Sequence, residues 1–260
     1  MKYALINGQR QEAQPNLSGQ CPACDQAMIA KCGEINVWHW AHKGRRTCDP
    51  WWENETEWHR AWKGQFPESW QEVVHQADNG EKHIADVKTD QGWVIEFQHS
   101  RIEPKERRSR DTFYPKLVWV VDGTRRKKDL TQFQNAFDKG MPTIVRSPVR
   151  RIFSDECMLL REWADCRAPV FFDFGGENLG CFLSKSPNGP MYVTVFPRNQ
   201  FIGIHRSGEI HKASGFDEFV MEISKQISLY ESPPQVQPLK QASQLPIQRP
   251  TQMDRRRRRL

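Results

Sequence analysis

The 260-residue chain contains no run of eighteen or more apolar residues, which excludes a hydrophobic membrane-spanning helix. Its opening stretch, MKYALINGQRQEA, lacks the apolar segment and small-residue cleavage site of a secretory leader. These absences predict a cytoplasmic protein with no membrane partner, in a compartment where disulfides are rare. Hydrophobic residues make up only 37% of the chain, low for a globular protein, although ten tryptophans supply large packing anchors. No segment repeats.

Acidic excess is also missing, and the formal net charge is +6. That charge is localised. From Ser232 onward the chain holds Lys240, Arg249 and Arg255 to Arg259 against the single acid Asp254, a net +6, so residues 1–231 are neutral. The high pI therefore describes a cationic arm rather than the folded body.

Seven cysteines is an odd number, and four of them lie between residues 21 and 48. Cys21-Pro-Ala-Cys24 is followed, after fourteen residues, by His39-Trp-Ala-His42. Two thiolates and two imidazoles form the donor set of a closed tetrahedral zinc site. Cys48 is an alternative ligand and Cys32 a weaker one. The His-x2-His spacing is shorter than in a base-reading finger helix, so the site is expected to be a structural zinc ribbon or knuckle. Cys157, Cys166 and Cys181 read as ordinary buried thiols.

Four segments follow from composition and periodicity: a zinc-binding module (1–50), an α/β unit (51–146), a smaller α+β domain of unassigned role (147–231) and a disordered basic tail (232–260). Within the second, a helix over Asn54 to Phe66 precedes strands at His83 to Thr89, Trp93 to His99 and Leu117 to Asp122, with a charged helix over Pro104 to Tyr114. The third is read as a helix (Asp155 to Cys166), strands at 170–174, 180–183, 191–196 and 201–205, and an amphipathic helix (216–229).

The most informative stretch runs from His83 to Ser100. Asp90-Gln91-Gly92 forms a turn with Gly at the left-handed position, which places Asp86 directly across from Glu96. Alternation then puts Asp86, Glu96 and Gln98 on one face. Two facing carboxylates repel unless a cation lies between them, and hard oxygen donors suit magnesium or manganese. Glu55, His59 and Lys63, four residues apart in turn, share one face of the preceding helix.

As an ordered set, Cys21-x2-Cys24 with His39-x2-His42, Glu55-x3-His59 with Lys63, Ala85-Asp86-Val87, Ile95-Glu96-Phe97-Gln98 and Arg110-x3-Tyr114 resemble the competence protein CoiA-like family, over roughly residues 20–125. The family's nuclease domain is similar to the PD-(D/E)xK endonuclease superfamily. The resemblance implies a restriction-endonuclease-like mixed sheet core, with the zinc module before it and the α+β domain after it. It further implies a metal-dependent deoxyribonuclease in which Asp86 and Glu96 hold Mg2+ or Mn2+, the Phe97 carbonyl adds a ligand and Glu55 assists. The superfamily's usual Lys is Gln98 here, which can orient water but cannot act as a base. Lys63, Lys88 or His59 are the candidates to replace it.

DNA is the expected partner, with recombination or DNA-uptake proteins and a second copy of the chain as further candidates. Arg107, Arg108, Arg110, Arg125 and Arg126 are candidate phosphate contacts, and Tyr114 is expected to brace the sheet. The competing expectation, kept alive by Gln98, is a nuclease-like DNA-binding accessory protein that no longer cuts.

Overall fold

The computed structural model describes residues 1–44, 49–51, 55–143, 148–153, 157–184, 190–206 and 215–231. Within them the chain is a mixed α/β structure of two sheets and six α-helices. Cys48 and the tail from Ser232 lie outside the described residues.

The first sheet joins β1 (Tyr3–Ile6), β2 (Gln9–Glu12), β3 (Ser18–Gln20), β4 (Ala27–Lys31) and β5 (His39–His42) in the order β2-β1-β3-β4-β5. Asn7 and Gly8 turn the first hairpin with φ of 51° and 79°, the paired left-handed geometry that matches strand twist. Ala4, Cys21, Met28 and Trp40 form its small core. The two N-terminal strands make this module larger than a bare zinc knuckle.

The second sheet contains β6 (Gln71–Gln76), β7 (Lys82–Lys88), β8 (Val94–Gln98), β9 (Leu117–Asp122), β10 (Met141–Pro142), β11 (Arg150–Ile152), β12 (Val170–Asp173), β13 (Asn178–Ser184) and β14 (Met191–Pro197). Their order is β10-β11-β14-β13-β12-β9-β8-β7-β6. The pairs β8–β9 and β9–β12 are parallel, and parallel neighbours need crossover connections. α2 (Pro104–Phe113) lies in the first crossover, with proline at a helix start that lacks an amide partner anyway. α3 (Asp129–Lys139) and α4 (Met158–Trp163) lie in the second.

Central strand β9 is apolar at five consecutive positions because both of its faces are covered. Leu117, Trp119 and Val121 pack with Tyr114, Phe133, Leu159 and Trp163. Val118 and Val120 face the other way, toward Trp62, Phe201 and Phe216 from α1 (Glu57–Lys63), α5 (Arg198–Arg206) and α6 (Phe216–Glu231).

Two expectations change. Residues after 147 do not build a sheet of their own: Val170–Asp173 pair residue by residue with Trp119–Asp122, so the sheet runs through the expected boundary. Residues 201–205 are helical rather than extended. Phe201 and His205 bury together, with ring centroids 4.4 Å apart, which suits residues one helical turn apart.

Candidate functional site

The hairpin forms with the expected register. Gly92 sits at φ 81°, Thr89 N–H donates to the Trp93 carbonyl at 2.8 Å, and Val87 and Lys88 pair with Ile95 and Val94. The next pair in this register is Asp86 and Glu96. There side chains replace the backbone ladder: Asp86 Oδ2 accepts the Phe97 N–H at 3.0 Å, and Glu96 Oε1 lies 3.4 Å from the Asp86 nitrogen. The two carboxylates thus meet where β7 and β8 part.

Their electrostatics are costly. Burial and then the charge of Asp86 push the Glu96 carboxyl up to about 8, despite the Arg110 guanidinium 2.8 Å away. Burial also raises Asp86, against the pull of Lys63 and His59.

Lys63 is buried and stands among three acids, with Nζ 2.5 Å from Glu55, 2.9 Å from Glu72 and 3.8 Å from Asp86. Burial works to strip its proton, but Glu72, Glu55 and Asp86 outweigh it and raise the pKa. Reciprocally, burial would raise Glu72, yet Lys63 holds it down to about 2. Sequence reasoning missed Glu72. The pairs Gln71–Val87 and Val73–Ala85 put it across from Asp86, at a left-handed φ of 48°. Its carboxylate also accepts the backbone N–H groups of Lys2 at 2.7 Å and Tyr3 at 3.1 Å, stapling β1 to the core. An acid opening a β-branched run is too ordinary a signal to reveal this.

His59 is braced rather than available. Thr56 N–H donates to its Nδ1 at 3.2 Å, so the proton belongs on Nε2, which lies 3.0 Å from the Phe97 carbonyl. The Phe97 peptide is therefore gripped at both ends, by Asp86 and His59, and its carbonyl is already engaged. Gln98 donates to the Ser100 carbonyl at 3.1 Å. Lys88 contacts His75 Nδ1 at 3.1 Å on the neighbouring strand. Glu55 pairs with Arg60 at 2.9 Å as well as Lys63, and a cleft of about 830 Å³ between residues 32–38 and 55–57 reaches it.

The arginines divide. Arg110, expected on phosphate, is buried against Glu96, Glu106 and the Trp51 carbonyl. Arg107 is 1% exposed, bonded to the Glu162 carbonyl and Asp165 and stacked on Trp163, so it is a core clamp instead of a DNA contact. Arg126 is half-buried against Asp129 and Glu162. Arg125 is also half-buried, and Arg108 is exposed beside Asp165 at 2.9 Å. Tyr114 braces as expected, packed edge-on against Phe113 and Trp51.

Two side chains at the carboxyl ends of the parallel strands were not anticipated. Asp173 is buried and accepts both indole N–H groups of α1, Trp58 at 3.0 Å and Trp62 at 2.8 Å. Asp122 lies beside it in register and holds His99 Nδ1 at 2.7 Å.

In the N-terminal module, the ligand atoms of Cys21, Cys24 and His42 lie within 4.8 Å of one another. The knuckle closes through Cys21 N–H to the Gln26 carbonyl and Asp25 N–H to the Cys21 carbonyl, both 2.9 Å, with Asp25 at φ 59°. Two thiols and an imidazole suit zinc. His39 is not in this cluster. Three residues apart on β5, His39 and His42 point to opposite faces, and His39 Nδ1 lies 2.9 Å from the Val37 carbonyl. No fourth donor joins the three among the described residues.

Neither a search of curated proteins nor one of solved structures finds a match. Residues 9–50 match the family model described as competence protein CoiA, N-terminal domain, so this N-terminal module is similar to that of the competence protein CoiA family.

Proposed function

We propose that the chain is a divalent-metal-dependent DNA nuclease with a restriction-endonuclease-like core, acting in competence-related DNA uptake, recombination or phage-related DNA processing. The observation that carries the reading is the placement of Asp86 and Glu96 across two strands at the point where the ladder opens. Their mutual repulsion leaves Glu96 needing either a proton or an added positive charge. Mg2+ or Mn2+ fits there: magnesium accepts one or two protein carboxylates and completes its shell with water and phosphate oxygens. The metal would polarise the phosphate and favour ionisation of water.

The chain's own residues would prepare that site. Lys63 draws Asp86 toward its charged form against the effect of burial, His59 and Asp86 hold the Phe97 peptide, and Arg110 orients Glu96. Zinc at Cys21, Cys24 and His42 would hold the module whose β1 staples onto Glu72.

One observation favours the second reading, a DNA-binding accessory protein. Arg110 already occupies one side of Glu96 at 2.8 Å, and Lys63 and Gln98 are buried. The deciding experiment incubates the purified protein with linear, nicked, branched and single-stranded DNA, with and without magnesium or manganese. Metal-dependent cutting that Asp86→Ala and Glu96→Ala abolish is expected. A gel shift without cutting would favour the accessory role, and undiminished cutting by Asp86→Ala would remove the site assignment.

A further inference from the structure

We infer that the cleft between the N-terminal module and α1 receives an unpaired nucleobase, stacked on Trp38, next to the proposed cleavage site. The inference rests on the reading of that site as one that acts on DNA, and it makes single-stranded or frayed DNA the preferred form.

Two apolar side chains stand in the open on the loop that joins β4 to β5. Ile35 is 96% exposed and Trp38 48%. Large apolar groups left in water within a few residues of one another mark a contact surface. The loop beneath them is anchored: Arg60 of α1 donates through Nη2 to the Trp38 carbonyl, and the same guanidinium pairs with Glu55 at 2.9 Å. The indole is therefore presented from a fixed backbone, which lowers the ordering cost when a ligand stacks on it.

Ile35 and Trp38 line one cleft of about 830 Å³, with the exposed Glu34 and Glu57 at its rim and the buried carboxylate of Glu55 at its floor. The cleft leads to the proposed site. Glu55 Oε1 lies 2.5 Å from Lys63 Nζ, and that ammonium lies 3.8 Å from Asp86. What fills the cleft is then the part of the substrate next to the bond being broken.

The lining selects which part of a DNA strand that is. Glu34 and Glu57 disfavour a phosphate, whose charge they repel. A base is uncharged and offers a flat face to the indole. In cytosine and adenine it also carries an exocyclic amino group that a carboxylate accepts. Inside a duplex both faces of a base are covered by its neighbours, so the occupant is an unpaired one. Ile35, beside the ring, is the kind of apolar side chain that separates base steps.

The test measures the fluorescence anisotropy of a labelled single-stranded oligonucleotide and of the blunt duplex of the same sequence. Both are titrated at one salt concentration, without added magnesium or manganese, with the full-length parent, Trp38→Ala, Trp38→Leu and Trp38→Phe, each checked for folding by thermal melting. We expect the parent to bind the single strand more tightly than the duplex. Trp38→Ala and Trp38→Leu should weaken single-strand binding roughly tenfold, within the range for loss of one base–aromatic stack. Trp38→Phe should retain most of it, and duplex binding should be the same in all four. Single-strand binding by Trp38→Ala as tight as the parent's, or a parent that prefers the duplex, overturns the inference; metal-dependent cutting by that parent would leave the nuclease reading standing. A parent that binds single strands through Trp38 yet cuts no DNA would remove the nuclease reading and keep the base-binding cleft.

Discussion

Lys63 and Glu72 form a buried ion pair 2.9 Å long, and the same glutamate accepts two backbone N–H groups from the N-terminal strand. One lysine thus stands among acids from three parts of the chain, Glu55, Glu72 and Asp86. Replacing it by methionine leaves Glu55, Glu72 and Asp86 facing one another in a nearly dry space. Breaking a buried pair in this way costs about 3–5 kcal/mol, so Lys63→Met should lower the urea midpoint strongly. A change below about 1 kcal/mol would mean that the cluster is hydrated in solution.

Acid should act through the same pair. Glu72 is depressed to about 2, so its contribution is fully present above the unfolded carboxyl range, about 4.3. It is lost as pH falls toward 2. Glu72→Gln should therefore flatten the stability profile below about pH 4, measured by denaturant titration at a series of pH values.

Glu96 gives the opposite sign. Its folded pKa is raised to about 8, so the native state holds a proton that the unfolded chain has released. Metal-free stability should fall as pH rises from about 4.3 to 8, by up to roughly 1.4 kcal/mol per unit. Magnesium or manganese should restore the loss near pH 8, and Glu96→Gln should remove both the slope and the metal response. A thermal melt that is flat over this window and indifferent to metal would contradict the reading.

The zinc cluster makes a discriminating prediction. Cys21→Ser and His42→Ala should release zinc and destabilise the protein, whereas His39→Ala should keep it. Atomic absorption on purified variants checks this directly. Zinc lost from His39→Ala would put that histidine back among the ligands.

Arg107 and Arg108 are neighbours with different duties. Arg107→Ala should destabilise the protein by about 3 kcal/mol, because it strips Asp165 and Trp163 of a buried cation. Arg108→Ala should change stability by less than about 0.5 kcal/mol and, where DNA binds across α2, reduce the salt slope of binding by roughly 1. Equal destabilisation by the two would contradict their burial.

Much of this was legible because it is local. The register of Asp86 and Glu96 follows from Gly92 and from side-chain alternation, and the Cys21 knuckle follows from spacing. What could not be read depends on distance or on strand parity. His39 and His42 look like a pair until they are placed on a strand, where a three-residue separation turns them apart. Glu72 matters only because β6 lies beside β7, and Asp122 meets His99 across 23 residues. The sheet's continuation past residue 147 depends on β12 choosing β9 as a parallel neighbour. Nothing in the local pattern of either strand specifies that choice.

That neighbour relation limits how the molecule can be cut down. A fragment ending near residue 146 would leave the β9 edge from Trp119 to Asp122 unpaired, with three of its four residues apolar. It would also take Asp173 from beneath Trp58 and Trp62, removing the acceptor of both indole N–H groups of α1. Such a fragment is expected to be sticky and to self-associate, so the half of the chain with no recognisable chemistry is what keeps the other half soluble and in shape.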